Sequence, residues 1–470
     1  MMKQIISNEW KSLLRVKAFS YLTYFFIMSL GVVSWLGTVQ NKEQDVQQKK
    51  ATEHVRAQWE NIKQMNTHSA AHFGSYAFKP VTPLSSMDDG VSASTGNVIR
   101  LEAHVQNETA YSEASQSLSI SKFGKLKPSL ILQFVIPLFL IFLAFNSVSK
   151  EKEQGRLKLL VLQGASLPKL VVAKTIGVWT YGVLLLLFTL VVQILLNLQS
   201  ISVDYFWRLS LLFFSYCAYY YVVTALTVYF SARLANNTAA LSSMIAVWLL
   251  WTIFLPKIWG NSVEKIYPLP SREEFKALMA QDRSQGIDGH NPSDKRGKAF
   301  EEKILAQYKM DSLSQLPVNF DGMRMQQDEE YGNMVWDRHF GNKYKVLEKQ
   351  KKTYQYSGII NPFASLQDAS MGFSGSDMLH FVNFQLQAEH YRRILIKTLN
   401  DKQTYGGSKT GDWGWKENND FYRSVKDFEY RTPVLKEVWS SYSLNLLTLA
   451  LWVVFTTILI IFGSKKTTIL

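Results

Sequence analysis

Six long apolar windows interrupt a chain that is otherwise rich in polar residues. None of these windows contains Asp or Glu, and they cover residues 18–37, 129–148, 170–196, 205–230, 238–256 and 443–463. A helix of about 20 apolar residues crosses the roughly 30 Å of hydrocarbon in a bilayer. The pattern therefore predicts a mainly α, polytopic membrane protein with six transmembrane helices.

Basic residues collect in the short connections on one side of the six windows. Thirteen Lys and Arg stand there against three acidic residues, whereas the connection 197–204 has no basic residue. Because Lys and Arg are held back on the cytoplasmic side, we expect both termini, 1–17 and 464–470, in the cytoplasm. The chain has a net charge of +13, and this topology accounts for most of it. We therefore expect no nucleic-acid partner.

Two long polar segments, 38–128 and 257–442, then lie on the outer side. The periodicity predicts that the first window continues as a polar helix over 41–65, and the next stretch predicts a strand over 97–105. Ser271 and Glu274 have the spacing of a capping box that opens a helix to about residue 282. Further helices are predicted over 295–310, 323–354 and 378–399. We expect one large, mostly helical extracytoplasmic domain in which both segments pack together.

The connection 149–169 combines charge with an apolar stripe. Glu151 and Glu153 lie in a charged run that ends at Gly155, and Leu157 and Leu160 follow on one helical face. Such an element suits a helix at the membrane surface, with its basic side chains reaching toward water. It also suits a helix that presents charge to a partner protein. The pattern alone leaves both interpretations open.

The run Glu-x-Glu-x-Gly-x-Leu at 151–157, followed by small residues, Pro and Lys, resembles the coupling-helix signature of ABC-2 type transporter permeases. The amino-terminal stretch with Trp10, Leu13 and Leu14 resembles their elbow helix, and 231–240 resembles their connection between spans four and five. The outer segments resemble a long-loop bacterial subgroup with an uncharacterised extracytoplasmic domain. The stretches that carry this second resemblance are 68–80, 89–107, 316–322, 361–365, 370–377 and 388–393.

The resemblance implies a permease subunit in the bacterial cytoplasmic (inner) membrane. Such a subunit pairs with a second permease copy or paralogue and docks two ABC ATPase subunits, which bind ATP and Mg; it needs no cofactor of its own. An envelope protein at the outer domain and membrane lipid are further expected partners. The residues implied in ATPase contact are Glu151, Glu153, Gly155, Arg156, Leu157 and Leu160.

The chain itself is not expected to be an enzyme. It has no G-x-x-x-x-G-K-[ST] phosphate loop, and the superficially similar 406–410 lacks the first Gly, so we interpret it as a plain loop. The windows have no ionisable residue away from their ends, which favours ATP-driven over ion-coupled transport. Gln133, Pro137, Asn146 and Thr252 are candidates for a transport path, although packing between helices is the favoured interpretation. Packing is likewise favoured for the tyrosines at 216 and 219–221.

All eight histidines lie in the outer segments. His68 and His72 have the i, i+4 spacing that can share a metal ion on a helix face. The subgroup resembled extends to a permease of nitrous-oxide-reductase maturation, a copper–sulfur system. The chain has one Cys, no His-Glu-x-x-His and no Met-rich cluster, so we expect no metal site. The alternatives to a transporter are a membrane-anchored scaffold or sensor with a partner-binding outer domain, and a metal-related envelope maturation permease.

Overall fold

The computed structural model describes residues 2–110, 126–234 and 236–466. Within these residues, six helices are long and apolar enough to cross a membrane, and the chain is a mainly α polytopic membrane protein. In chain order these helices, spans 1 to 6, are Lys17–Glu60, Pro128–Glu153, Leu167–Leu196, Val203–Arg233, Asn237–Ile266 and Leu435–Gly463. A separate amino-terminal helix, Met2–Leu14, precedes span 1.

Several spans extend beyond the apolar windows that predict them. Span 1 runs without a break through the polar stretch to Glu60 and has 44 residues. This confirms the predicted polar continuation as far as Glu60, whereas its last residues, Gln64–Met65, form a strand instead. Span 5 passes Pro256 and ends at Ile266, and span 6 begins at Leu435, before its apolar window. Polar side chains are compatible with a helix once it has left the hydrocarbon, so the windows give only the apolar core of each helix.

Two spans contain π-helical turns that share one sequence feature. The turn Ile131–Val135 in span 2 comes just before Pro137, and the turn Leu250–Phe254 in span 5 comes just before Pro256. A proline has no N–H to donate to the carbonyl four residues earlier, so the ladder widens locally and then continues. Pro137 therefore distorts span 2 through a π-helical turn without ending the helix.

The described residues between spans 1 and 2 and between spans 5 and 6 form a domain beside the spans. We refer to three of its helices by name: the long helix Phe320–Tyr356, the wedge helix Pro362–Ser374 and the return helix Met378–Tyr405. The predicted helices at 271–282, 295–310, 323–354 and 378–399 are confirmed. The other helices of the domain are Thr67–Phe73, Ser92–Thr95, Arg272–Gln285, Ser293–Tyr308 and Asn419–Ser424.

The described residues of the two outer segments contain five short strands. Strand β1 (Gln64–Met65) pairs antiparallel with β5 (Glu417–Asn418), which brings the two segments together. Strands β2 (Ser75–Phe78), β3 (Val98–Glu102) and β4 (Val105–Gln106) form an antiparallel sheet in that order, and β3 confirms the predicted strand. Trp59 at the end of span 1 packs in one core with Leu395, Leu399 and Tyr422. The two segments therefore form one unit, as expected.

The wedge helix is a feature that the sequence did not predict. It packs among the spans: the Phe363 ring lies 5.0 Å from that of Phe134 in span 2, and Ser365 Oγ lies 2.7 Å from Thr448 Oγ1 in span 6. At its start, Asn361 Nδ2 donates to the carbonyl of Trp251 in span 5 at 2.9 Å. The domain is thus inserted into the helix bundle rather than resting on its end.

Candidate functional site

Two short helices form the end of span 2 and its connection to span 3. Ser149–Glu153 ends in a turn, and Arg156–Leu162 begins directly after Gly155. Gly155 has φ of 71°, in the left-handed region that side chains with a Cβ rarely adopt. We refer to residues 149–166 as the turn segment. Its sharp change of direction depends on this glycine.

One acidic residue of the turn segment is held in a buried ion-pair network. Lys174 of span 3 is 3% exposed, and its Nζ lies 2.9 Å from Glu151 Oε1. The same Nζ also pairs with Glu9 of the amino-terminal helix. A single buried cation therefore ties together the amino-terminal helix, the turn segment and span 3.

The other acidic residue, Glu153, reaches the start of span 5. Its carboxylate accepts from the backbone N–H of Asn237 at 3.0 Å and from Asn237 Nδ2 at 2.6 Å. This places a negative charge at the N-terminus of a helix, where it is stabilised by the helix dipole and by unpaired N–H groups. Nearby, Ser149 Oγ lies 3.1 Å from Ser231 Oγ at the end of span 4. The turn segment is thus connected to spans 3, 4 and 5 by polar contacts.

The second helix of the turn segment has an inner and an outer face. Leu157 is 1% exposed and belongs to the core of the bundle, and Leu160 packs partly against the same core. Arg156 is exposed, and Leu159 and Leu162 are 60% and 75% exposed. The sequence stripe at 157 and 160 therefore holds the helix in place, and the exposed leucines form a separate apolar surface.

The amino-terminal helix lies against span 3. Trp10 Nε1 donates to Thr180 Oγ1 at 3.1 Å, and the Trp10 ring lies 6.1 Å from that of Tyr181. Leu13 packs partly on the core, whereas Leu14 is 59% exposed. Trp10 and Leu13 therefore form the packed face of this helix, and Leu14 points away from it.

The interior candidates lie in different environments. Gln133 is buried, and its Nε2 donates to Asp88 Oδ2 at 3.1 Å and to Tyr216 Oη at 3.0 Å. Thr252 is also buried and donates only to the carbonyl of Trp248 in its own helix. Asn146 is half-buried just after the helix Ile136–Ala144. Asn146 and Thr252 therefore do not take part in the hydrogen bonds that Gln133 makes with Asp88 and Tyr216.

Gln133 belongs to a polar cluster that joins the domain to the spans. Asp88 is buried and accepts from Ser370 of the wedge helix as well as from Gln133. Burial raises the pKa of Asp88 above its usual value, despite these hydrogen bonds. Tyr216 Oη lies 2.9 Å from Ser370 Oγ. Tyr216, Tyr219 and Tyr220 are fully buried among the helices, in agreement with the packing interpretation.

A second polar cluster lies at the end of the wedge helix. Lys351 of the long helix pairs with Asp368 at 3.1 Å and with Asp377, whose Oδ1 also lies 2.7 Å from His380 Nδ1. Although burial opposes ionisation, Lys351 and His380 hold the pKa of Asp377 well below its usual value. Tyr442 of span 6 donates to Asp377 at 2.9 Å. The sequence missed this cluster because Lys351, Asp377 and Tyr442 are brought together by the packing of three helices, which no spacing in the sequence reveals.

The 406–410 loop and the histidine pair are both found in the domain. Asn319 Nδ2 donates to Ser408 Oγ at 2.8 Å, and Thr410 Oγ1 accepts from the N–H of Phe320 at the start of the long helix. The loop thus caps the start of the long helix, which is compatible with its interpretation as a plain loop. His68 and His72 lie together on the helix Thr67–Phe73.

Comparison with known families agrees with this architecture. Residues 4–286 match the model of the ABC-2 family transporter protein, and residues 272–431 match a domain of unknown function, DUF3526. No curated protein matches the chain significantly. The first match includes the amino-terminal helix, the turn segment and spans 1 to 5. The chain therefore belongs to the ABC-2 transporter family, as a multi-pass membrane permease component of an ABC transporter.

Proposed function

We propose that the chain is the permease subunit of an ATP-driven transporter and that the turn segment is its coupling helix. In this proposal both termini and the turn segment face the cytoplasm, where two separate ATPase subunits bind ATP and Mg. The DUF3526 domain lies on the opposite side and acts in export, or on an envelope substrate or protein. Family membership and the connections of the turn segment support this assignment.

The observation that carries the proposal is the buried contact of Lys174 with Glu9 and Glu151. A coupling element has to move the spans when a partner moves it, and this requires stiff contacts rather than a loose loop. Lys174 connects the turn segment to span 3 and to the amino-terminal helix, and Glu153 connects it to span 5. A push on the turn segment would therefore be delivered to several helices at once.

The surface that we assign to the ATPase consists of Arg156, Leu159 and Leu162. Exposed leucines beside a charged residue are typical of the centre of a protein interface, where apolar side chains fill pockets on the partner. Leu157 and Leu160 support this surface from below. The role of Glu151 and Glu153 is then to transmit movement within the chain rather than to touch the ATPase.

A second permease copy or paralogue is part of the proposal, and span 5 is the best-placed helix to meet it. Only 22% of the apolar window of span 5, and the same share of span 6, is buried within the chain, compared with 72% for span 4. Span 5 also receives the Glu153 contact at its start. Movement of the turn segment would thus reach a helix that has a free face for a neighbouring subunit or for lipid.

Replacement of Leu162 by Asp tests the docking surface. The variant loses the burial of one leucine, about 1.5–3 kcal/mol, and adds the desolvation of a charge, so ATPase binding should weaken by at least tenfold. The complex is purified through the permease, and the amount of Walker-motif ATPase and the ATP turnover are measured. Leu278→Asp, at an exposed leucine of the domain that is 40% exposed, is the matched control.

Two outcomes would contradict the proposal. If no ATPase accompanies the wild-type chain, the scaffold or sensor function gains support. If Leu162→Asp and Leu278→Asp retain the same amount of ATPase as the wild type, the turn segment is not the docking element, even if the chain is a transporter subunit.

A further inference from the structure

Three histidine rings meet at the surface of the domain. His68 and His72 are one helical turn apart, and their Nε2 atoms lie 3.2 Å from each other. His104, in the connection between β3 and β4, completes the group, with its ring centroid 5.6 Å from that of His68 and 5.1 Å from that of His72. One ligand atom from each ring lies within 4.8 Å of the other two.

The 3.2 Å between the Nε2 atoms of His68 and His72 and the spacing of the three ring centroids are compatible with a shared metal ion. With metal–nitrogen distances of about 2.0–2.1 Å and tetrahedral angles, two imidazole nitrogens on one ion are about 3.3 Å apart, and their ring centroids about 5 Å apart. The His68–His72 contact alone could be an N–H···N hydrogen bond. A hydrogen bond between these two rings does not explain why a third ring from another segment converges on the same point.

His104 is held in place by charged side chains around it. Its Nδ1 lies 2.9 Å from Glu329 Oε1, and its carbonyl accepts from Arg283 Nη1 at 2.6 Å. His104 has φ of 65°, uncommon for a residue with a side chain, and these contacts help to stabilise it there. Since Nδ1 is engaged by Glu329, Nε2 is the ring nitrogen that remains to bind a metal ion. A carboxylate behind a ligating histidine is the usual supporting contact in metal sites.

Glu329 is itself fixed as a carboxylate. It is 2% exposed, and Arg392 Nη1 donates to its other oxygen at 3.1 Å. Burial would raise its pKa, but His104 and Arg392 lower the pKa of Glu329 to about 2. Burial and the neighbouring His72 and His104 also lower the pKa of His68.

We propose that His68, His72 and His104 form a binding site for a divalent metal ion of the zinc and copper(II) class. Three imidazoles suit these ions, whereas Mg²⁺ and Ca²⁺ prefer oxygen ligands and copper(I) prefers sulfur. His72 is exposed, so a fourth ligand can come from water or from a bound molecule. This inference goes beyond the proposed transport function and does not depend on it. From the sequence we expect no metal site, since no Cys ligand, His-Glu-x-x-His or Met-rich cluster accompanies His68 and His72; the proposal departs from that expectation because of the position of His104.

The direct test is metal binding by the intact chain, purified in detergent without a polyhistidine tag. The protein is stripped with a chelator and dialysed against buffered Zn²⁺, and bound zinc is counted by mass spectrometry. We expect one zinc per chain and no retention of Mg²⁺. X-ray absorption of the zinc-loaded protein should show three imidazole nitrogens at about 2.0 Å.

The matched variants are His72→Ala and His390→Ala, both at exposed histidines on helices. His72→Ala should weaken zinc binding by at least tenfold with an unchanged melting temperature of the metal-free protein, and His390→Ala should bind zinc like the wild type. Glu329→Gln should weaken binding roughly 10–100-fold, since it removes the support of His104. Equal binding by His72→Ala and His390→Ala, or no zinc on the wild type, would overturn the proposal.

Discussion

Replacement of Lys174 by Met removes the cation that joins the amino-terminal helix, the turn segment and span 3. Methionine keeps the length and most of the volume of the side chain, so the change is mainly one of charge. The carboxylates of Glu9 and Glu151 are then left facing each other without a counter-charge. They are 19% and 24% exposed, so water screens them only in part.

The magnitude follows from this partial exposure. Removal of one partner of a fully buried ion pair costs about 3–5 kcal/mol, and the access of water to Glu9 and Glu151 reduces the expected cost to about 2–3 kcal/mol. For a chain of this size we expect the melting temperature to fall by about 2–5 °C. In the complex, ATP turnover should persist while its coupling to the spans is impaired, because the turn segment has lost its contact with span 3.

A thermodynamic cycle separates the ion pair from simple packing. The melting temperature is measured in detergent for Lys174→Met, for Glu9→Gln with Glu151→Gln, and for the triple variant, with Lys169→Met at an exposed lysine as the control. The triple variant should be more stable than Lys174→Met, since it no longer confines two like charges. The reasoning is refuted if Lys174→Met melts like the wild type and Lys169→Met, or if the triple variant is no more stable than Lys174→Met.

Two further predictions concern the domain and its junction with the spans. A Cβ on Gly372 would lie 2.1 Å from the ring of Tyr442, whereas one on Gly341 would meet nothing within 4 Å. Gly372→Ala should therefore lower the free energy of unfolding by about 1–3 kcal/mol and lower the melting temperature. Gly341→Ala should leave the melting temperature unchanged or raise it. The pKa of Glu329 falls from 4.5 to about 2 on folding, so its stabilisation is complete above pH 4.5 and is lost as the pH falls toward 2. Melting temperatures between pH 7 and 3 should thus decline less steeply in Glu329→Gln, and identical slopes would contradict this assignment.

The apolar windows predict the six spans because a helix in hydrocarbon needs a long run without charge, and that requirement is local in sequence. The same windows miss the wedge helix. Pro362–Ser374 has 13 residues, among them three Ser, one Gln and one Asp, so it is too short for a span and too polar to be recognised as buried. Its burial depends on partners such as Thr448 and Trp251, which are distant in sequence.

The same limit applies to the candidate sites. The motif at 151–157 identifies the turn segment. It does not reveal that Glu151 and Glu153 contact Lys174 and Asn237 of the same chain, because no regular sequence spacing relates these residues. Likewise, the i, i+4 spacing predicts that His68 and His72 are neighbours. His104 lies beside this pair because strand β3 pairs with β2, a tertiary contact that the spacing of the histidines does not reveal.

The unbroken helix of span 1 gives the chain a rigid rod from its membrane end into the domain. Forty-four residues at 1.5 Å each make it about 66 Å long, and its far end is fixed by Trp59 in the domain core and by Arg56, which donates to the Val425 carbonyl at 2.6 Å. A tilt of about 5° at the base would displace that end by about 6 Å. Span 1 therefore acts as a lever: a small rotation at its membrane end produces a displacement of several ångströms at the end that is fixed in the domain.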